Sequence, residues 1–203
     1  MLIEQPPFLL KKFYPKALWR KNEEEKVVYL TFDDGPCQET TLKILDILDD
    51  FDVKATFFCV GENVIRESNL FDEIKKRGHR VGNHTLSHSK GFELSTADYI
   101  SQVERARELI SSSLFRPPHG QLKKEQYREI SKKYTIVMWD VITRDYNQKL
   151  TPEKIFNIVK KYTRNGSIIV FHDSKKAQKN VLSALPSSLN YLKEKGFRFA
   201  VLE

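Results

Sequence analysis

Two adjacent carboxylates, Asp33 and Asp34, follow an apolar run that is rich in β-branched and aromatic residues. The run, residues 27–32, predicts a buried strand, and Gly35 with Pro36 predicts a turn directly after it. At the end of a parallel strand both carboxylates can converge on one pocket, because a parallel barrel builds its site at that end. A strand followed by a plain Asp-Gly turn is the alternative.

His84 and His88 stand four residues apart, close enough to hold one metal ion if the segment forms a helical turn. One of the two aspartates would complete a set of two imidazoles and a carboxylate. Catalytic zinc sites use this set and keep an open position for water. The same set also suits non-haem iron in an oxygenase, so the ligands alone do not decide between the two.

A hydrolytic metal site also needs a base beside the attacking water and an acid for the leaving group. A second aspartate stands beside the first, and His172 follows another apolar run, residues 167–171. An oxygenase would not need this pair, so the residues favour hydrolysis. A strand-end histidine that caps the following loop is the alternative for His172.

Short apolar runs alternate with helical stripes from Val27 onward, which predicts about seven strands with helices between them. This order is typical of a parallel sheet, either closed as a barrel or open and doubly wound. Polar residues follow nearly every predicted strand, which favours a closed ring with one mouth. These residues are Asp33, Asp34, His84, His88, Arg116, Asp145 and His172.

The chain has 203 residues, of which 40% are hydrophobic and 30% charged, and its net charge is +7. This composition predicts one globular domain at residues 26–203, preceded by a lead-in segment at residues 1–25 laid on its outside. Lysine and arginine are spread along the chain as solvated helix faces, so no nucleic-acid partner is predicted.

The two cysteines, Cys37 and Cys59, match no zinc spacing and are expected to be free thiols. The first twenty residues contain no apolar core long enough for a signal peptide or a membrane span. The expectation is therefore a cytoplasmic protein, or an extracytoplasmic one if the chain is trimmed or exported by another route.

Five motifs, taken in chain order, resemble those of the polysaccharide deacetylases, carbohydrate esterase family 4, also called the NodB homology domain. They are TFDDGP at 31–36, HTLSH at 84–88, RPPHG at 116–120, WDVITRDY at 139–146 and IVFHD at 169–173. The resemblance covers about residues 26–202. It implies a distorted (β/α) barrel of about seven parallel strands and a metal-dependent hydrolase. The implied reaction removes N-acetyl groups from an N-acetylglucosamine-containing oligomer or polymer, either chito-oligosaccharide or peptidoglycan.

Matched position by position, the resemblance implies that Asp34, His84 and His88 bind one divalent metal ion. Zinc is expected, with cobalt and nickel as alternatives. Asp33 would be the general base, and His172 the general acid that protonates the departing amine.

The resemblance also implies supporting residues. Arg116 would hold Asp33 ionised and oriented, since a nearby cation favours a charged carboxylate. Asp145 would favour the protonated form of His172.

Three further positions are expected to meet the substrate. The backbone N–H of His119 would help to hold the oxyanion. Trp139 and Tyr146 would form an apolar wall against the acetyl methyl group or the sugar ring, although core packing is an equal possibility for Trp139. The family usually has an aromatic residue at position 119, and often has aspartate where Ile142 stands and tryptophan where Tyr146 stands. These departures bear on substrate choice more than on chemistry.

Other functions stay open at this point. An O-acetyl esterase acting on acetylated polysaccharide would use the same metal and base. A non-catalytic glycan-binding relative would bind sugar without releasing acetate, and an iron oxygenase would consume oxygen.

Overall fold

Strand β1, Val27–Asp33, lies at the centre of the sheet and is buried along its whole length. A strand that is covered on both faces needs apolar side chains at nearly every position, which explains the continuous apolar run in this part of the sequence. β1 pairs in parallel with a strand on each side, with Asp33 opposite Phe58 on one and opposite His172 on the other. The register therefore places the first carboxylate level with a histidine.

The computed structural model describes residues 4–21 and 24–203. Its helices are α1 Phe8–Phe13, α2 Thr41–Asp50, α3 Gly61–Arg66, α4 Ser68–Lys76, α5 Thr96–Ile110, α6 Lys124–Ile130, α7 Pro152–Tyr162 and α8 Gln178–Glu194, with short 3₁₀ turns at Gly91–Glu93 and Pro118–Gly120. The strands after β1 are β2 Thr56–Cys59, β3 Arg80–Asn83, β4 Leu114–Phe115, β5 Thr135–Ile136, β6 Val141–Ile142, β7 Ile168–His172 and β8 Arg198–Phe199.

The sheet has the strand order β5-β4-β3-β2-β1-β7-β6, with β8 beside the start of β1, and the pairings between these strands are parallel. Parallel neighbours need crossover connections, which the helices supply. Seven of the strands form a curled sheet surrounded by helices, and the predicted distorted (β/α) barrel is thereby confirmed. The carboxyl ends of the strands consequently open on one mouth.

The segment before β1 bridges the edge strand β5 and the interior strand β7 of the sheet. Leu18 forms a parallel bridge with Val137, directly after β5, and Arg20 forms an antiparallel bridge with Ser167, directly before β7. Among the described residues of the segment, Tyr14, Ala17 and Trp19 are buried. These residues pack into the domain, whereas helix α1 has no buried residue, so the described lead-in lies on the outside only in part. The boundary between residues 25 and 26 stays a prediction.

One local expectation differs from the structure. The run 84–88 forms a loop in which Thr85 and His88 have φ values of 65° and 54°, instead of the helical turn that metal binding was expected to need. A left-handed residue cannot continue a helix, so the two histidines meet through loop geometry.

Both cysteines are free thiols, as predicted. Among the residues described, no helix combines the length and the apolar character that crossing a membrane would require.

Candidate metal and catalytic centre

One cleft of about 860 Å³ lies at the mouth of the barrel. Asp145 is buried behind it, in contact with His172. The other nine residues predicted from the sequence line the cleft itself: Asp33, Asp34, His84, His88, Arg116, His119, Trp139, Tyr146 and His172. The fold therefore brings all ten predicted residues to one place, while their individual roles stay predictions.

Asp34, His84 and His88 form a compact group on one side of the cleft. Their candidate ligand atoms all lie within 4.8 Å of one another. Oδ1 of Asp34 is 3.1 Å from Nε2 of His88 and 3.7 Å from Nε2 of His84. Asp34 has a φ of 80°, a left-handed conformation that aspartate tolerates better than most residues. The turn after β1 thus directs this carboxylate toward the histidines of the loop after β3.

His84 has a tautomer that suits metal binding. Its Nδ1 is 2.7 Å from the carbonyl oxygen of Arg116. A carbonyl oxygen only accepts, so Nδ1 carries the proton and donates it, and Nε2 keeps a free lone pair facing Asp34. Burial lowers the pKa of His84 to about 4, which keeps the ring neutral.

The three side chains fit a divalent metal ion. Burial would raise the pKa of Asp34, but the hydrogen bond from His88 and the positive charge of His172 outweigh it and hold the pKa below its usual range. The group therefore offers an ionised carboxylate, together with the neutral imidazole of His84. With the imidazole of His88 this is the donor set that zinc and related metals accept.

Asp33 is held by a buried arginine. Nη1 of Arg116 donates to Oδ1 of Asp33 at 2.6 Å and to the hydroxyl of Thr31 at 2.7 Å. The guanidinium also donates to the carbonyls of Val137 and Met138, and it lies 4.1 Å from the ring centroid of Phe58. Burial lowers the pKa of Arg116, while Asp33 opposes that shift. An arginine fixed at this many points leaves Asp33 little freedom to turn away from the cleft.

His172 faces the cleft with a carboxylate behind it. Nδ1 of His172 is 2.7 Å from Oδ1 of Asp145, and its backbone N–H donates to Oδ2 of the same residue at 2.8 Å. Burial alone would lower the pKa of His172, but the charge of Asp145 and its hydrogen bond outweigh burial and raise the pKa to about 9. His172 is therefore protonated at neutral pH, with its other ring nitrogen available to the cleft.

The remaining predicted residues form walls of the cleft. The ring of His119 lies 4.9 Å from that of His88, and Tyr146 packs edge-on against His172 at 4.8 Å. Trp139 lines the cleft and also meets the core, where its ring lies 5.8 Å from that of Trp19. Trp139 therefore belongs both to the cleft lining and to the core packing, while its contact with substrate stays a prediction.

Several residues that hold the carboxylate loop were not predicted from the sequence. Asp173 accepts hydrogen bonds from the hydroxyls of Thr40 and Thr41 at 2.5 and 2.6 Å and lies directly against Gly35. Asn63 donates from its side chain to the carbonyl of Asp34 at 2.7 Å. The one available signal was the position of Asp173 next to His172 in the fifth motif, since the other contacts join distant parts of the chain.

The family model described as polysaccharide deacetylase matches residues 20–139 of this chain. A peptidoglycan-N-acetylglucosamine deacetylase of Bacillus cereus is 35% identical over 183 residues, which cover 86% of this chain and 66% of that protein. About a third of that relative therefore lies outside the match.

Solved structures agree with this match. The Bc1960 peptidoglycan N-acetylglucosamine deacetylase superimposes with a TM-score of 0.90 and 32% identity, covering 97% of this chain and 95% of that one. A structure described as a CE4 family pseudoenzyme, BA3943 of Bacillus anthracis, has a TM-score of 0.83 and 27% identity over 93% of this chain and 68% of that one. Sequence and structure together establish that the chain belongs to the polysaccharide deacetylase family.

Proposed function

We propose that this chain is a metal-dependent deacetylase that hydrolyses the N-acetyl groups of an N-acetylglucosamine-containing glycan, with peptidoglycan as the first substrate to test. The observation that carries the proposal is that three kinds of functional group line one cleft. They are a metal-ligand group, a second carboxylate held by an arginine, and a protonated histidine. The peptidoglycan N-acetylglucosamine deacetylases at 35% and 32% identity support the substrate class.

The metal group would be Asp34, His84 and His88, and zinc is the ion that we propose, with cobalt or nickel as substitutes. A divalent ion held there would polarise the acetyl carbonyl and acidify a water molecule. The donor set does not discriminate among these ions, so the native metal is a matter for measurement.

Asp33 and His172 would divide the proton transfers. Asp33, oriented by the fixed guanidinium of Arg116, is the group that would accept a proton from the attacking water. His172, protonated because Asp145 raises its pKa to about 9, would deliver a proton to the departing amine nitrogen. An amine is a poor leaving group unless it is protonated, so an acid at this position matters for amide cleavage. The backbone N–H of His119 would donate to the oxyanion.

The test is acetate release by the purified protein, stripped of metal and reloaded with zinc, cobalt or nickel. The substrates are peptidoglycan, N-acetylglucosamine oligomers and acetylated xylan. Asp33→Asn should reduce kcat by roughly 10²- to 10⁴-fold, the usual contribution of a general base. Asp140→Asn is the matched control, because Asp140 is also a buried carboxylate paired with an arginine but lies outside the cleft lining.

The possible outcomes of this assay distinguish a deacetylase, an O-acetyl esterase and a non-catalytic relative. Release from the amino-sugar substrates that needs both metal and Asp33 would support the proposed deacetylase. A preference for acetylated xylan would indicate an O-acetyl esterase. Glycan binding without acetate release, with metal bound, would indicate a non-catalytic relative and would overturn the proposal.

A further inference from the structure

Helix α1 exposes a group of large apolar side chains. Phe8, Leu9 and Phe13 are 72%, 68% and 71% exposed, and the helix buries none of its residues. Elsewhere in the described part of the chain, the exposed large hydrophobic side chains lie singly on separate elements, at Leu42, Ile65, Phe92 and Leu109. Single exposed side chains are ordinary, whereas three of them within six residues indicate an interaction surface.

The exposed side chains share one face of the helix with a lysine. Because an α-helix turns by about 100° per residue, positions 8, 9, 12 and 13 span only about 140° of its circumference. Nζ of Lys12 lies 4.9 Å from the ring centroid of Phe8. Leu10 points to the other side, where it packs against the core and lines the cleft. Phe8, Leu9, Lys12 and Phe13 together are called the α1 surface.

Contacts before and after the helix hold it against the domain. Before it, Oε1 of Glu4 accepts from Nη1 of Arg144 at 2.6 Å, and these side chains are 24% and 12% exposed. After it, the hydroxyl of the buried Tyr14 donates to the carbonyl of Leu122 at 2.7 Å. A shielded, charge-assisted contact fixes a short segment better than an exposed ion pair does. The outward direction of the α1 surface is therefore a feature of the fold.

The surroundings of the α1 surface are basic. Lys11, Lys12 and Lys16 lie on the helix or shortly after it, and residues 5–21 include no acidic residue. Glu4, at the start of the segment, is paired with Arg144. The whole chain has a net charge of +7. An anionic partner is therefore attracted to this side of the molecule.

A lipid bilayer with anionic headgroups matches both properties of the α1 surface. The side chains of phenylalanine and leucine have no polar atom, so a hydroxyl-rich glycan gains no hydrogen bond from them, whereas the boundary between headgroups and acyl chains accepts them. Lysines beside them keep their charge among the headgroups while their stems cover apolar surface. A second copy of this chain would bring the same lysines and the same net charge against the surface, which disfavours that contact.

We propose that the α1 surface binds the face of a bilayer that contains anionic phospholipid. Phe8, Leu9 and Phe13 enter the boundary between headgroups and acyl chains, and Lys12 and Lys16 contact the headgroups. The bound bilayer lies beside the mouth of the cleft, because the other side of the same helix lines that cleft. This inference goes beyond the proposed function and does not depend on it, since lipid binding is measured without acetate release.

The test measures binding of the purified full chain to lipid vesicles by co-sedimentation. The vesicles contain phosphatidylcholine with about 30% phosphatidylglycerol, or phosphatidylcholine alone. The native protein should bind the anionic vesicles, and added salt should weaken the binding. Phe8→Ser with Phe13→Ser should lower the affinity by about tenfold or more, because two apolar side chains are no longer taken out of water. Lys12→Gln with Lys16→Gln should lower it by about tenfold.

Two matched pairs of substitutions are the controls. Lys43→Gln with Lys75→Gln removes the same charge from exposed positions on α2 and α4. Leu42→Ser with Ile65→Ser removes two exposed apolar side chains that do not belong to a group. Both pairs should leave vesicle binding within about twofold of the native value. Thermal unfolding checks that every variant keeps the native fold, which is expected because the replaced side chains are exposed.

Three results would overturn the proposal. The first is a native protein that does not bind the anionic vesicles, and the second is unchanged binding by Phe8→Ser with Phe13→Ser. The third is an equal loss from both lysine pairs, which would mean that net charge alone attracts the lipid. If the native protein ignored vesicles but formed a dimer that Phe8→Ser with Phe13→Ser made monomeric, the α1 surface would instead bind a second copy of this chain.

Discussion

Two buried histidines, His84 and His172, line the same cleft and have pKa values displaced in opposite directions. Burial lowers the pKa of His84 to about 4, and its Nδ1 donates to a carbonyl oxygen. Burial acts in the same sense on His172, but the carboxylate of Asp145 overrides it and raises the pKa to about 9. The partner of Nδ1, a neutral oxygen or a charged one, therefore determines whether the imidazole can be a metal ligand or an acid.

A third histidine, His79, shows that a lowered pKa alone does not identify a metal ligand. His79 is buried outside the cleft lining, its Nδ1 accepts from the backbone N–H of Ala55, and its pKa is also lowered to about 4 by burial. A low pKa is thus an ordinary result of burial. What distinguishes His84 is the free Nε2 beside Asp34 and His88.

The largest expected effect is on zinc affinity. His84→Gln should weaken zinc binding by at least roughly 100-fold, since the loss of an outer-shell partner alone costs about 10- to 100-fold. Calorimetry with zinc on metal-free protein gives the measurement. His79→Gln is the matched control, and equal weakening by both variants would contradict the assignment of His84 as a ligand.

The next largest effect is on the pH dependence of activity, through the proposed acid His172. His172 carries its proton below a pH of about 9, so activity that needs this acid should fall as pH rises through about 9. Asp145→Asn removes the charge that raises the pKa, so the decline should move to lower pH by roughly one unit or more. The rate constant kcat/KM measured from pH 6 to 10, with NMR titration of the ring, checks this.

The same contact also contributes to stability, and its sign follows from the raised pKa. The contribution is fully present below the unfolded value of 6.5 and is lost as pH rises through about 9. An identical alkaline decline in the native protein and in Asp145→Asn would show that Asp145 does not control His172.

A moderate effect on stability should appear where the turn after β1 packs against Asp173, the residue after β7. A methyl group at Gly35 would lie 2.8 Å from Cγ of Asp173, in a fully buried contact. Gly35→Ala should therefore lower the free energy of unfolding by about 1–3 kcal/mol, as overpacking usually does. Urea unfolding gives the measurement.

The control is the same substitution in an Asp173→Ala background, where the crowding carboxylate is absent and Gly35→Ala should cost less. Native-like stability of Gly35→Ala would show that Asp173 can move away without loss.

The smallest effect is expected at Asn63, which donates to the carbonyl of Asp34 and accepts from Arg66. Asn63→Ala should cost about 1 kcal/mol in zinc binding, or roughly fivefold, because it loosens the turn that carries Asp34. Asn190→Ala removes a comparable side-chain contact on the exposed face of helix α8 and should leave zinc affinity unchanged. A change at Asn63 as large as at His84 would mean that the turn itself is misplaced.

The sequence alone predicted the parallel sheet and the residues that meet at its mouth. The apolar run of β1 ends in Asp33 and Asp34, and the apolar run of β7 ends in His172. Such signals are local, since a strand that is buried on both faces must be apolar and the first polar residue after it marks its end. The five ordered motifs then indicated all ten residues that the fold brings together.

Only the tertiary structure decided how these residues are supported. No periodic pattern in the sequence predicts three of these features: the loop at 84–88, the two-residue strand β6, and the contacts of Asp173. The position of the lead-in segment was not predicted: it bridges the residues after edge strand β5 and before strand β7, through Leu18 and Arg20, and it lines the cleft. Its partners lie more than a hundred residues away, and pairings at that distance are fixed by packing and charge in the folded chain, which local patterns do not record.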